Sequence, residues 1–265
     1  MKNKVVIPFR WPGGKFYAIK QLRLFWENHD HTEYREPFFG GGSVFFAKEK
    51  VSHNWINDVD KNLINTLLIL QNQDTRLQLA KMFIEEEATI EQYQIIKKMT
   101  PSNDLERAYQ YYYLNRTSYS GKMKNPSWGY RPKRSLPPHR WHERILPCGK
   151  KLEDVKITAL DFSEVMLADS PNKVLMFLDP PYFNAQQYVH SFNEDDHIRL
   201  AKVCKQTQHD FFLTYDDCPE IRELYSWANI YDLKFFYRLD NSRDNDDKRK
   251  IGSEIVITNF DAKLK

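Results

Sequence analysis

Residues 174–178 read Val-Leu-Met-Phe-Leu, five apolar side chains with no polar break. A run of that length suits a strand covered on both faces of a parallel sheet, although periodicity alone also allows a buried helix. The next residues decide it. Pro180 and Pro181 can extend neither a ladder nor a helix interior, so the strand ends at Asp179. Further strand-like segments fall at 155–162, 211–215, 233–239 and 253–260, and a short one at 55–60 ends in carboxylates. Helical spacing separates them. Lys15 opens a helix with Ile19, Leu22 and Phe25 on one face. Residues 62–114 read helical throughout. Leu63, Leu67 and Leu70 form a stripe, continued by Leu77, Ala80, Met82 and Phe83 and closed by Tyr109, Tyr112 and Tyr113. That stripe is expected to be core. Helices follow at 193–206, with Asn193 as cap and acids in the first turn, and at 221–227. Strands and helices alternating in this way predict an α/β fold. The helices of 62–114 then make an insertion between two parts of the sheet.

Composition narrows the picture only a little. The 265 residues suffice for one sizeable core with a subdomain. Lys+Arg number 39 against Asp+Glu 36, so bulk charge does not argue for nucleic acid and clustering must carry that case. Cys148, Cys204 and Cys218 are scattered and odd in number, which suits a reducing compartment and gives no metal spacing. No apolar run is long enough to span a membrane, and no signal peptide is apparent, so a cytoplasmic protein is expected.

Candidate chemistry gathers at the turns. Asp179 stands past the carboxyl end of the buried strand, where open α/β sheets place their ligands. A carboxylate on a stiff Pro180-Pro181 backbone beside the flat ring of Tyr182 suits an exocyclic amine on a flat heterocycle. The plainer alternative is a strand-ending turn with a surface tyrosine. Gly13-Gly14 makes a tight turn before Lys15, and Gly40-Gly41-Gly42 another between a strand and a helix. The second does not have the G-x-G-x-x-G spacing and lacks a Gly-Lys-Ser/Thr, so neither a dinucleotide fingerprint nor a P-loop is indicated. Asp58 falls about 20 residues beyond it, where nucleotide folds place the acid that binds ribose hydroxyls. Asp60 can serve instead as a helix N-cap. Basic residues cluster with aromatics between 116 and 142: Arg116, Tyr119, Lys122, Lys124, Trp128, Arg131, Lys133, Arg134, Arg140 and Trp141. Such a stretch suits phosphate contacts with base stacking, or else a solvated basic loop.

In order the chain presents RWPGGK, EPFFGGGSV, NDVD, LNRTSYSGK, DPPY and EIVITNF. This series resembles the Dam-like, D12-class DNA adenine-N6 methyltransferases along nearly the whole length. The resemblance implies a Rossmann-like, mixed and mostly parallel sheet formed by 1–60 and 151–265, with a helical, DNA-recognising subdomain at 61–150. It implies S-adenosylmethionine as cofactor, held by Trp11, Lys15, Phe38, Gly40, Gly42, Asp58, Asp161, Phe162 and Asp179. Trp11 would stack on the cofactor adenine, with Asp161 and Phe162, read as a strand end, covering it. Asp179, Pro180, Pro181 and Tyr182 would form the catalytic turn around a flipped-out adenine of double-stranded DNA. Lys15, Arg116, Tyr119, Lys122, Lys124, Arg131, Lys133 and Arg134 would touch the DNA. No metal is required, and a monomer or weak dimer is expected, with or without a restriction endonuclease partner. The segment between Gly121 and Trp128 is short beside the enterobacterial Dam type, which leaves the recognised sequence open. Arg243, Lys248, Arg249 and Lys250 lie in a polar stretch that could also reach DNA. Two other readings stay open at this point: methylation of cytosine N4, disfavoured by Asp rather than Ser before Pro-Pro-Tyr, and a DNA-binding protein that kept the fold without the activity. Residue types do not separate RNA from DNA.

Overall fold

The computed structural model describes residues 6–183, 191–236 and 251–262. Among the described residues seven strands form one sheet: β1 (Glu33–Glu36), β2 (His53–Asn57), β3 (Lys156–Thr158), β4 (Val174–Leu178), β5 (Asp210–Asp216), β6 (Asn229–Phe236) and β7 (Ile251–Thr258). Their spatial order is β3-β2-β1-β4-β5-β7-β6. The first five in that order run parallel, and β7 pairs antiparallel with both β5 and β6. The order reverses between β1 and β4, which opens a crevice at their carboxyl ends. The basic stretch at 243–250 lies outside the described residues.

β4 behaves as its apolar run requires: all five residues are buried. Leu175 and Phe177 face one core, while Val174, Met176 and Leu178 face the other. β1 is built differently. Its sequence is Glu-Tyr-Arg-Glu, and all four residues are buried. Each polar group is matched to a neighbour on its own face, as the two-residue strand period allows. Arg35 donates to Glu33 Oε1 at 2.6 Å and to the carbonyls of Val165 and Ala168. The Tyr34 hydroxyl donates to Glu36 Oε2 at 2.9 Å.

The turn after Gly14 leads into a broken helical stretch. A 3-10 turn at Lys15–Tyr17 is followed by α1 (Ile19–Leu22) and α2 (Leu24–Glu27), with Leu22 and Phe25 buried. α3 (Ser43–Ala47) follows the glycine loop. Between β2 and β3 come α4 (Lys61–Gln71), α5 (Gln73–Met82), α6 (Ile90–Lys98), α7 (Asp104–Thr117) and α8 (His142–Leu152). Asp60 caps α4 by accepting from the amides of Asn62 and Leu63. Leu63, Leu67, Leu70, Phe83, Tyr109, Tyr112 and Tyr113 join the sheet residues in one continuous core. Leu77 does not join them and is exposed.

Two further expectations are corrected. Strand character was expected to reach residue 162, but β3 stops at Thr158, and α9 (Phe162–Leu167) begins after Asp161. Asp161 and Glu164 form a reciprocal capping box, which satisfies the free amides of that helix start. Trp141 was grouped with the stacking aromatics. It is 0% exposed, its indole donates to the Leu136 carbonyl at 2.8 Å, and it packs against Phe83, Tyr112 and Tyr113. α10 (Glu194–Gln206), capped by Asn193 as expected, and α11 (Pro219–Leu224) complete the other face.

Candidate active site

The crevice is a cavity of about 280 Å³. Trp11, Lys15, Phe38, Gly40, Gly42, Asp58, Asp161, Phe162 and Asp179 all line it. Four turns bring these residues together around Trp11 and Lys15 of the N-terminal Gly13-Gly14 turn.

The first follows β4. Asp179 Oδ1 accepts from the Thr214 hydroxyl of β5 at 2.8 Å and meets Lys15 Nζ at 2.7 Å. Pro180 is buried and Pro181 lines the cavity. The Phe183 amide donates to Asp216 Oδ1, which fixes the turn against the end of β5. Tyr182 packs near Tyr215, and Lys15 Nζ lies 4.6 Å over its ring.

The second turn follows β1. Gly40 and Gly42 have φ of 47° and 66°, in the region that glycine adopts without strain. A Cβ on Gly40 would stand 2.8 Å from Trp11 Nε1, and one on Gly41 2.7 Å from Trp11 Cβ. The loop and the indole are therefore in direct backbone-to-ring contact. Glu36, at the end of β1, is fully buried. Burial raises its carboxyl well above the usual range, and nearby Asp179 and Asp58 push the same way.

The third turn follows β2. Asn57 ties three strand ends together by donating to the carbonyls of Pro37 and Leu160 and accepting from Thr158 and Leu160. Asp58 Oδ2 accepts from the Gly40 amide at 2.8 Å, and its Oδ1 from the Asp60 amide at 3.0 Å. The fourth is the start of α9. Phe38, Phe162 and Phe192 form an aromatic wall with centroids 5.3 to 5.8 Å apart. Arg199 lies 4.1 Å over Phe162 and grips Asp161 with two nitrogens at 2.8 and 3.0 Å. The Arg199 guanidinium, together with Ser163, holds the Asp161 carboxyl down to about 2.

The family model for the D12 class N6 adenine-specific DNA methyltransferases matches residues 11–239. The chain belongs to this family. Among its relatives is the Type II methyltransferase M.CviBI of Paramecium bursaria Chlorella virus NC1A, 26% identical over 265 residues, covering 95% of this chain and 98% of that one. The DNA N-6-adenine-methyltransferase of Escherichia phage P1 is 30% identical over 246 residues, covering 82% of this chain but only 30% of the phage protein. The Type II methyltransferase M.MjaIII of Methanocaldococcus jannaschii is 29% identical over 239 residues, covering 76% and 80%. This D12 enzyme transfers a methyl group to adenine N6 in DNA.

A second cavity of the D12 enzyme, about 800 Å³, lies beside the first. Arg116, Tyr119, Arg131, Lys133 and Arg134 line it, joined by Arg10, Arg140 and Arg144. Among the described residues no acid lines it. Arg10 lines the second cavity, and its neighbour Trp11 lines the first. Arg10 exchanges hydrogen bonds with the Asn115 side chain and donates to the carbonyls of Arg116 and Ser118. Arg116 is 8% exposed, and its Nε is sealed from solvent with no hydrogen-bond partner among the described residues. Burial lowers its guanidinium pKa, with Arg144 and Arg10 adding to the effect. Lys122 is half-buried and Lys124 exposed, and both lie outside the two cavities.

Sequence reasoning missed several residues of both sites. Arg10 stands inside the quoted RWPGGK motif, so its signal was present. Arg144 sits on the unread helix α8. Thr214 hides in an apolar strand, and nothing in the local sequence distinguishes Arg199.

Proposed function

We propose that the first cavity holds S-adenosylmethionine, that Asp179, Pro180 and Tyr182 receive a flipped-out adenine, and that the arginine-lined cavity receives the backbone of a DNA duplex. The observation that carries this is Asp179. It stands at the sheet's switch point, braced by Thr214, on the lip of the cavity that collects residues of the RWPGGK, EPFFGGGSV and NDVD motifs.

The chain's residues fit the cofactor. The glycine loop lies so close to Trp11 that a single added Cβ would fill its cradle, which keeps the backbone open to a ligand. Trp11, Phe38 and Phe162 offer faces to the cofactor adenine, and the lone pairs of Asp58 and Asp161 serve the ribose hydroxyls and the adenine amine. The cofactor supplies an electrophilic sulfonium methyl. Adenine N6 is a weak nucleophile because its lone pair is delocalised into the ring. The Asp179 carboxylate and the Pro180 carbonyl accept its two hydrogens and turn the nitrogen towards tetrahedral geometry. The lone pair then points along the line of attack, an effect of position and electrostatics rather than of full deprotonation. The amine is out of reach inside a duplex, so the base leaves the stack and lies on Tyr182.

For the duplex, Arg116 is the central group. A largely buried guanidinium that lines the cavity and is repelled by two further arginines gains from an anion there. Residues 61–150 thus serve as the recognition part. Tritiated methyl transfer with Asp179→Ala tests the catalytic assignment. Transfer should be abolished while cofactor affinity falls far less. Activity within a few fold of wild type would remove Asp179 from the role.

A further inference from the structure

Lys15 occupies a place that the reaction needs for something else. Its Nζ is 2.7 Å from Asp179 Oδ1 and 4.6 Å over the centroid of the Tyr182 ring. Those are the two surfaces that the target adenine must use, the carboxylate for its amine and the ring for its face. The ammonium is also a donor-only group, as the amine hydrogens are. Lys15 is 5% exposed, and its Nζ donates to the Gly13 carbonyl at 3.2 Å as well. A second acid, this one buried, stands nearby. Glu254 Oε2 on β7 is 3.9 Å from the same nitrogen, and Glu254 is 3% exposed.

We infer that Lys15 is a place-holder for the target amine, and that Glu254 is the positioning residue that takes it over when the base enters. This rests on the reading of Asp179 as the acceptor of adenine N6. Two physical demands lead to it. Lys15 Nζ lies over the Tyr182 ring on which the base has to stack, and it shares Asp179 Oδ1 with Thr214, so an incoming base that uses this ring and this oxygen has to displace one of the two donors. Thr214 is a buried residue of a core strand, whereas Lys15 sits on a side chain with four rotatable bonds. In addition, an ammonium left against the base would draw electron density from the nitrogen that has to attack. Its departure therefore favours the reaction as well as the fit. Glu254 makes the departure feasible: a shift of about 1 Å closes their separation to ordinary ion-pair distance, and the charge never needs to cross apolar space unpaired. In the DNA-free enzyme the same contact keeps Asp179 compensated and the base slot closed to other amines.

The test is base flipping, read apart from turnover. A duplex carries the adenine that the enzyme methylates, with 2-aminopurine as its neighbour, which brightens when the target leaves the stack. Binding is measured with saturating S-adenosylhomocysteine, which has no methyl to transfer. Relative to wild type, Lys15→Met should raise the flipped fraction, and Glu254→Gln should lower it by roughly threefold or more. In the Lys15→Met background, Glu254→Gln should have no further effect, because its client is gone. A dimmer probe with Lys15→Met, or the same loss from Glu254→Gln in both backgrounds, would overturn the relay. If Glu254→Gln does not fold, Lys15→Met decides alone: brighter supports the relay, and dimmer or unchanged rejects it. A wild-type enzyme that neither brightens the probe nor methylates the duplex would instead overturn the site reading itself.

Discussion

Replacing Arg116 with Met separates a ligand-binding charge from a structural one, because the two roles predict opposite effects on stability. Methionine keeps the length and apolar stem of the side chain and removes its charge. In the folded protein that charge is 92% buried (8% exposed), carries an unpartnered Nε, and faces Arg10 and Arg144. Leaving one buried polar group unsatisfied costs about 1–3 kcal/mol, so its removal should stabilise the DNA-free protein by that order. For a domain of this size the melting temperature should rise by about 2–4 °C per kcal/mol. Binding should move the other way. A charge-assisted hydrogen bond to phosphate contributes about 1.5–3 kcal/mol, which is roughly 10- to 150-fold in affinity. The slope of log affinity against log salt should fall by about one unit. Thermal melting and fluorescence anisotropy of a labelled duplex at several salt concentrations read both. A lower melting temperature with an unchanged salt slope would make Arg116 a brace for α7 and refute the reasoning.

Other perturbations probe the rest of the molecule. Gly42→Ala combines left-handed strain of about 1 kcal/mol with overpacking of about 1–3 kcal/mol, because its Cβ would stand 2.4 Å from the buried Phe39 ring, which Phe45 and Phe46 hold in place; the melting temperature should drop, and an unchanged one would contradict the loop geometry. Trp11→Ala and Asp58→Ala should each weaken binding of S-adenosylmethionine in isothermal titration, the latter also by releasing the Gly40 amide; unchanged affinity in both would mean that the cofactor lies elsewhere. Burial, with Lys48 nearby, lowers the half-buried His31 from 6.5 to about 4. The unfolded chain gains this proton near pH 6.5 and the folded one resists it, so His31 should cost stability as pH falls from 6.5 towards 4, by about 1–2 kcal/mol after solvent screening. His31→Gln should flatten that difference in denaturant titrations across this window, and an identical pH profile would show that the imidazole titrates normally.

What could be read from the chain depended on whether one physical pattern dominated locally. β4 is a plain apolar run cut off by prolines, so its place and its terminal carboxylate were legible. β1 was not, because its four buried residues meet their burial cost through paired polar groups, and no apolar period remains to see. Trp141 misled because basic neighbours surround it. Yet Trp141, Ile145, Cys148 and Leu152 recur at helical spacing, and all are buried on the core side of α8. Asp161 could have been read as a cap from Glu164 three residues on, a pattern that competes with strand character in a short segment. The site motifs were legible because turns at strand ends need glycine, proline and carboxylates at fixed places. Arg199 and Thr214 were not, since each reaches its target across the fold from an element whose own sequence is ordinary, and the EIVITNF stretch marks Glu254 without showing that it approaches Lys15.

The central claim is that this cavity and Asp179 methylate adenine N6. Unmethylated plasmid DNA incubated with the purified protein and S-adenosylmethionine, then sequenced molecule by molecule, reports base, atom and context together. The account predicts N6-methyladenine with wild type and none with Asp179→Ala. Methyl marks on cytosine N4, or equal adenine marks with both proteins, would contradict it.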